Sequence, residues 1–338
     1  MMRRACAASA LALSLFAPVC AQVPASRPAS AVPPREVRAW LMRIHDAASH
    51  NNYHGTFVVS GGGNVASARI VHYSDRANQF ERIEPLDGKA RRVFRHNDVV
   101  QTVWPGSGVA MIEQRGLLNS FPALLQGGND AITDHYDVGV VDEDRVAGHV
   151  AKVLAVRPRD DLRYGYRLWA EKQTGLLLRV DVLGERGDVL ETSAFSDVTI
   201  NVKPQPAAIV QAMKQLDGYR ITKPVLTRTA LEDEGWSLRQ VAPGFRRVSC
   251  VIRQIGSPPD GLESGAEPVL QAIYSDGLTY VSLFIERFRP HLHVRPTVTS
   301  VGATQTLTKR QGDWWLTVVG DTPVATLRLF ADALERRK

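Results

Sequence analysis

The sequence predicts an α+β protein that is mostly antiparallel β. It should have a large N-terminal half-open β-barrel with covering helices, followed by a smaller C-terminal antiparallel sheet with one helix. Three observations predict it. First, Tyr164, Tyr166 and Leu168 alternate with small or polar residues, and Leu176, Leu178, Val180 and Val182 alternate on the next run, which is the period-2 signature of half-buried strands. With Val189 to Phe195 these runs make an antiparallel meander, turning at Lys172-Gln-Thr-Gly175, where Gly175 suits a positive φ. Second, six short strand-like runs stand in tandem between Tyr53 and Glu113, a spacing that argues for one large antiparallel sheet. Third, amphipathic helical segments precede the first sheet and follow the second.

Residues 1–21 have the layout of a secretory signal: Arg3 and Arg4 begin it, Ala10 to Val19 is mostly apolar, and Val19-Cys-Ala21 offers a cut. The apolar run is short of the roughly 20 residues of a spanning helix. Pro18-Val19 is a poor match to the pattern that would make Cys20 a lipidated N-terminus. Loss of this segment leaves Cys250 as the one cysteine, so no internal disulfide can form and burial must supply the stability. It also lowers the formal charge of +6 by two, to +4. That mild, dispersed basicity permits an acidic partner or anionic lipid but carries no nucleic-acid signature.

Residues 22–34, rich in Pro, Ala and Ser, form a flexible lead. Val37, Trp40, Leu41, Ile44 and Ala48 then share one face of a helix over 35–49. Tyr53 to Val59 and Ala66 to Tyr73 pair around a glycine-rich turn, 78–83 and 90–95 pair around Leu86-Asp-Gly88, and 98–104 and 109–113 pair around Pro105-Gly-Ser-Gly108. Gly61-Gly-Gly63 is not a phosphate loop, because no Gly-Lys-Ser/Thr follows and it joins two strands. Residues 117–126 interrupt the rhythm with Leu117, Leu118, Phe121, Leu124 and Leu125 around Pro122, an apolar plug for the concave side of the sheet. After the meander, Ala207 to Leu216 is helical. The first domain is therefore 35–216, with a Gly- and Pro-containing linker at 217–224.

The second domain, 225–338, should hold strands on either side of Pro243-Gly244, a hairpin at Ser275-Asp-Gly277, and strands 304–308 and 314–319. It should close with a helix capped by Thr322 with Pro323 in its first turn.

No enzyme motif is present: the chain lacks a Gly-x-Ser-x-Gly elbow, a His-Glu-x-x-His pair, paired cysteines and a dinucleotide glycine fingerprint. No metal or cofactor is implied. His291-Leu-His293 has no further ligand nearby and reads as part of a solvated basic loop, 287–295, while Asp160-Asp161 reads as a solvated charged turn. What remains is apolar surface. A curved sheet with a covering helix and a plug has the parts of an acyl-chain pocket. Its candidate lining is Trp40, Leu41, Ile44, Phe57, Phe80, Trp104, Leu118, Phe121 and Leu124. The competing reading is that these residues simply fill the barrel.

The order of parts resembles the MucB/RseB family of periplasmic negative regulators of the envelope-stress sigma factor. The likeness rests on Ala39-Trp-Leu-Met-Arg-Ile-His45, Asn52-Tyr-His-Gly-Thr-Phe-Val-Val59, Ile112-Glu-Gln-Arg115, Phe121-Pro-Ala-Leu-Leu125, Tyr164-Gly-Tyr-Arg-Leu-Trp169 and Thr174-Gly-Leu-Leu-Leu-Arg179. Gly235-Trp236, Pro243-Gly-Phe245 and Trp314-Trp315 continue it, so it spans nearly the whole mature chain. The resemblance implies a first domain similar to the lipoprotein carriers LolA and LolB. It implies a periplasmic chain that binds the periplasmic part of an RseA/MucA-type anti-sigma factor, protects that factor from proteolysis and responds to acyl chains of lipoproteins or lipopolysaccharide, with a homo-oligomer as one state open to it. For the partner, the second domain offers Tyr280, Phe284, Arg287, Arg289, Trp314 and Trp315. A periplasmic lipoprotein carrier is the alternative, although a bare carrier would not need residues 235–338.

Overall fold

The computed structural model describes residues 34–75, 77–114, 121–125, 132–254 and 268–337. The signal-like segment and Leu118 lie outside the described residues. Helix α1 (Pro34–His50) buries Val37, Leu41, Ile44, Ala47 and Ala48 along one face. Strands β1 (Tyr53–Gly61), β2 (Asn64–Ser74), β3 (Gln79–Pro85), β4 (Arg92–His96), β5 (Val99–Trp104) and β6 (Val109–Gln114) form the tandem meander, each antiparallel to the next. A single turn, α2 (Ile132–His135), leads into β7 (Tyr136–Val146), β8 (His149–Pro158), β9 (Gly165–Glu171), β10 (Leu177–Leu183) and β11 (Val189–Ile200), a second meander.

Pairing of β11 with β1 fuses the two runs into one twelve-stranded sheet. Helix α3 (Pro206–Lys214) is followed by β12 (Arg220–Thr222), which lies parallel to β6. The stretch expected as a linker thus supplies an edge strand. Among the described residues the two edges, β12 and β7, are not partners, so the sheet does not close into a barrel.

One expectation about the meander is overturned. Leu176, Leu178, Val180 and Val182 do not share a face, because the register shifts between Leu177 and Arg179. An irregularity of this kind changes which side chains point to which face. Leu177, Val180 and Val182 pack under α1 with Val37, Leu41, Ile44, Tyr166 and Leu168, whereas Leu176 and Leu178 pack on the other side with Tyr53, Ile70, Trp169 and Phe195. The strand is buried on both faces rather than half-buried. A third cluster, Phe80, Phe94, Val103 and Ala110, sits beneath Ile209 of α3.

The second sheet contains β13 (Leu226–Arg228), β15 (Arg246–Gln254), β16 (Pro268–Ser275), β17 (Tyr280–Arg287), β18 (Val298–Val301), β19 (Thr304–Gln311) and β20 (Trp314–Gly320), ordered β13-β15-β16-β17-β20-β19-β18. Helix α4 (Val324–Ala333) packs Leu327, Phe330 and Ala331 onto it, against Phe245, Tyr274, Leu283 and Val318. Cys250 is buried in this core, and burial pushes its thiol pKa up.

Two local expectations fail here. Strand β14 (Trp236–Leu238) pairs with the C-terminal β21 (Leu334–Arg336), so the chain on either side of Pro243-Gly244 forms no hairpin. Trp236 is drawn away to a separate ribbon, where its ring meets Trp314 edge-on at 5.5 Å. Thr322 does not cap α4: the residue ahead of the helix is Pro323, with extended ψ, and no side chain caps the helix.

Helix α1 is fixed to the sheet by the β9–β10 turn. Gly175 adopts φ +84, and a Cβ there would lie 2.9 Å from the Arg43 carbonyl oxygen. Arg43 in turn donates to the Gln173 carbonyl. Gly175→Ala should therefore destabilise the fold by about 2 kcal/mol or more in urea unfolding, because both backbone conformation and helix contact are lost. Gly187→Ala, at φ +79 but with nothing within 4 Å, should cost roughly 1 kcal/mol.

Candidate functional site

The apolar candidates separate into groups. Leu41 and Ile44 are fully packed on the inner face of α1, with Trp40, Phe121 and Leu124 partly buried against the same cluster. Phe57 joins Phe121 on the other side, with ring centroids 5.6 Å apart, and both contact Phe195. Phe121 belongs to both groups and so stands where the two cores meet, over the central strands β1 and β11. Phe80 is buried in the third cluster, stacked on His96 at 4.6 Å, and Trp104 is half-buried outside all of these clusters. The fold thus brings together Trp40, Leu41, Ile44, Phe57, Phe121 and Leu124, and it separates Phe80 and Trp104 from them.

The six partner candidates do not form one surface, because β20 alternates its faces. Trp314 packs on the α4 side, against Trp236, with Arg287 4.2 Å and Arg336 4.9 Å from its ring. Trp315 points the other way, is 6% exposed and stacks on His293 at 4.8 Å with an interplanar angle of 2°. His293 is therefore not solvated as expected. Its Nδ1 accepts from the Arg289 N–H at 3.0 Å, and burial lowers its pKa. Arg289 pairs with Glu286 at 2.8 Å, and Phe284 is half-buried on β17. Tyr280 lies inward, its pKa pushed up to about 12 by burial and then by Asp321 and Glu191.

The seam between the sheets is what the sequence reading missed. Arg163, 2% exposed, precedes β9 and reaches Asp276 of the β16–β17 turn, which is 3% exposed. Arg163 Nε donates to Asp276 Oδ2 at 2.8 Å, and the Tyr136 hydroxyl donates to the same oxygen at 2.9 Å. Asp276 Oδ1 accepts the N–H groups of Leu278 and Thr279 at 3.0 and 2.9 Å, so one oxygen builds its own turn and the other receives the neighbouring sheet. The other guanidinium nitrogens go to Asp160 and to the Pro243 carbonyl, and the group lies 5.1 Å from the Phe245 ring centroid. Asp160 is thus an ion-pair partner rather than a solvated carboxylate. Burial, followed by Asp276, raises the Tyr136 pKa far above its ordinary value. Thr326 of α4 completes the contact by donating to the Leu162 carbonyl at 2.7 Å. Asp276 was legible only as a turn residue, and nothing in its spacing points to Arg163.

A second part of the seam is acidic. The β18–β19 turn approaches the β1–β2 turn so closely that a Cβ at Gly302 would lie 2.6 Å from Glu191 Oε2, and one at Gly62 would lie 2.7 Å from the Gly302 nitrogen. Glu191 accepts from the Ala303 N–H, and Asp321 Oδ1 accepts from Thr304 Oγ1 at 2.6 Å. Two carboxyl groups therefore hold one turn. Burial raises both pKa values, and Asp321 raises that of Glu191 further.

Comparison with known proteins places both sheets. The MucB/RseB N-terminal domain model matches residues 36–213, and the MucB/RseB C-terminal domain model matches residues 230–335. Among curated relatives, the sigma factor AlgU regulatory protein MucB of Pseudomonas aeruginosa is 31% identical over 298 residues, covering 86% of this chain and 88% of that protein. The sigma-E factor regulatory protein RseB of Escherichia coli K12 is 24% identical, covering 88% of this chain and 90% of that protein. Both are named as regulatory proteins rather than enzymes. A solved complex of Pseudomonas aeruginosa MucA and MucB superposes with a TM-score of 0.67 at 27% identity, covering 90% of this chain and 99% of the matched one.

Two outcomes follow from the seam. Arg163→Met should destabilise the chain by about 3–5 kcal/mol in urea unfolding, since it strands a buried carboxylate. Adding Asp276→Asn should recover part of that loss. The acidic turn gives a pH dependence. A carboxyl whose folded pKa lies above its ordinary value, 4.5 for Glu191, contributes stability below that value and loses it as pH rises through the folded pKa. The melting temperature should therefore rise on acidification from neutral pH toward 4.5 less steeply for Glu191→Gln than for the unaltered protein.

Proposed function

The chain belongs to the MucB/RseB family, and on that premise we propose that it is a periplasmic regulator of an envelope-stress sigma factor. It binds the periplasmic region of an RseA/MucA-type anti-sigma factor, shields that factor from regulated proteolysis, and yields it when acyl chains of misplaced lipoproteins or lipopolysaccharide occupy the first domain. The observation that carries this reading is the match of both family domains, in order, along one chain whose relative MucB has been solved together with MucA. The signal-like residues 1–21 support export.

The arrangement of apolar groups supports the sensing step. Trp40, Phe57, Phe121 and Leu124 are partly buried where α1 and the 121–125 segment meet the open sheet. They expose apolar atoms that an acyl chain would cover at ~0.8 kcal/mol per methylene. An acyl chain can release the partner only by preferring one arrangement of the two domains. A coupling of ~3 kcal/mol would weaken the anti-sigma contact about 150-fold. The Arg163–Asp276–Tyr136 seam is the element such a ligand would have to bias, because it joins the sheet that holds the chain to the sheet that carries the partner candidates. The second sheet also distinguishes a regulator from a lipoprotein carrier, whose cargo needs only the first.

The test is calorimetric titration of the purified mature chain with the periplasmic region of its anti-sigma factor, with and without an acylated peptide. The complex should form, should slow cleavage of the anti-sigma fragment, and should weaken when the acylated peptide is added. Phe121→Ala should raise the peptide's Kd by about tenfold while leaving anti-sigma binding intact. An acylated peptide that binds without weakening the complex would sink the coupling.

A further inference from the structure

Strand β18 is one edge of the second sheet and, among the described residues, pairs with β19 alone. Its four residues, Val298-Thr-Ser-Val301, are all exposed and contain no charge. Natural sheets usually protect such an edge with Lys, Pro within the strand, a bulge or a covering loop.

The ladder shows which groups are free. Thr308 N–H donates to the Thr297 carbonyl at 2.8 Å, so Thr297 and Thr308 are a hydrogen-bonded pair. Antiparallel pairs alternate, and with Val298 opposite Leu307 and Ser300 opposite Gln305, the main-chain N–H and C=O groups of Val298 and Ser300 point outward. Exposed apolar side chains lie on the strand and in the residues leading into it: Leu292 is 54%, Val294 82%, Val298 47% and Val301 61% exposed.

Charge identifies the occupant. Between Glu286 and Asp313 the chain carries five Lys and Arg residues; Arg289 pairs with Glu286 and Lys309 with Asp332, which leaves Arg287, Arg295 and Arg310 as the excess positive charge. Arg295, exposed, stands three positions before Val298, whereas the other end of the strand is held at the Glu191 seam. A second copy of this chain would bring like charges together, so self-pairing is disfavoured. We propose that β18 takes up an extended segment of the anti-sigma partner by strand addition. That segment alternates apolar with acidic residues, and its acidic end lies against Arg295. This inference rests on the partner reading above and adds the element and the mode of contact. Main-chain hydrogen bonds supply affinity, while side chains of the segment beside Val298 on one face and Val301 on the other supply specificity.

The test titrates the periplasmic region of the anti-sigma factor into three full-length mature chains: unaltered, Ser300→Pro and Arg295→Glu. Proline at 300 removes an outward donor and leaves the β19 ladder intact. It should weaken binding about tenfold with an unchanged melting temperature, whereas Ser300→Ala should bind normally. Arg295→Glu should weaken binding and flatten its dependence on salt. If the unaltered chain binds but both variants bind equally well, the edge is not the site and the partner reading stands. If the unaltered chain does not bind, the partner reading falls and the proposed occupant with it. If Ser300→Pro alters self-association instead, measured by sedimentation, the occupant is a second copy and the proposal is overturned.

Discussion

Arg163 is buried where the two sheets meet, and its charge sets the terms on which they do so. A guanidinium removed from water must have its donors matched. Here they are matched from three directions: Asp160 beside it in sequence, Asp276 in a turn of the other sheet, and the Pro243 carbonyl on the way into β15. None of these partners can move far without leaving a buried charge exposed to a low dielectric. Tyr136 enters the same arrangement from the start of β7 and spends its hydroxyl on the shared carboxylate oxygen. Mutual placement of the two sheets is therefore specified by these directed bonds together with apolar contact, since Leu278 and Ala303 in turns of the second sheet are buried in the core of the first.

The acidic turn next to it behaves differently. Glu191 and Asp321 grip the β18–β19 turn through neutral donors, the Ala303 amide and the Thr304 hydroxyl, while their own charges oppose one another. One part of the seam is closed by opposite charges and the other is strained by like charges. The glycines at 61, 62 and 302 are what let the backbones come near enough for this to matter. A seam of this kind is secure at one end and adjustable at the other, which suits a protein whose proposed task is to hold a partner and yield it on a signal.

Much of the fold was legible in the sequence because it is local. The tandem hairpins, the α1 stripe and the Gly175 turn follow from period, turn chemistry and amphipathicity, each a matter of neighbours along the chain. Family membership was legible from blocks such as Tyr164 to Trp169. The departures have non-local causes. Leu176 to Val182 looked one-sided because alternation cannot reveal a register shift, and Trp236 left its expected hairpin because β21, nearly a hundred residues later, offered it a partner. His293 looked solvated until Trp315 folded over it. Of the candidate apolar residues, those near α1 assembled while Phe80 and Trp104 did not, since strand order decides which apolar faces meet. Arg163 and Asp276 gave no signal at all: each looks like an ordinary polar residue next to a turn.

Strand β12 and strand β13 belong to different sheets, yet only Lys223, Pro224 and Val225 separate them. At ~3.6 Å per residue the ends of the two strands cannot part by more than about 14 Å. The second sheet is thus leashed to the far edge of the first, and opening the Arg163 seam would be a swing about a short hinge rather than a separation. Any load on the second sheet would pull on the parallel β12–β6 pair before reaching the rest of the fold. With both halves of the seam kept at an effective concentration in the millimolar range, reclosure is a first-order event that does not depend on how much of the protein the cell contains.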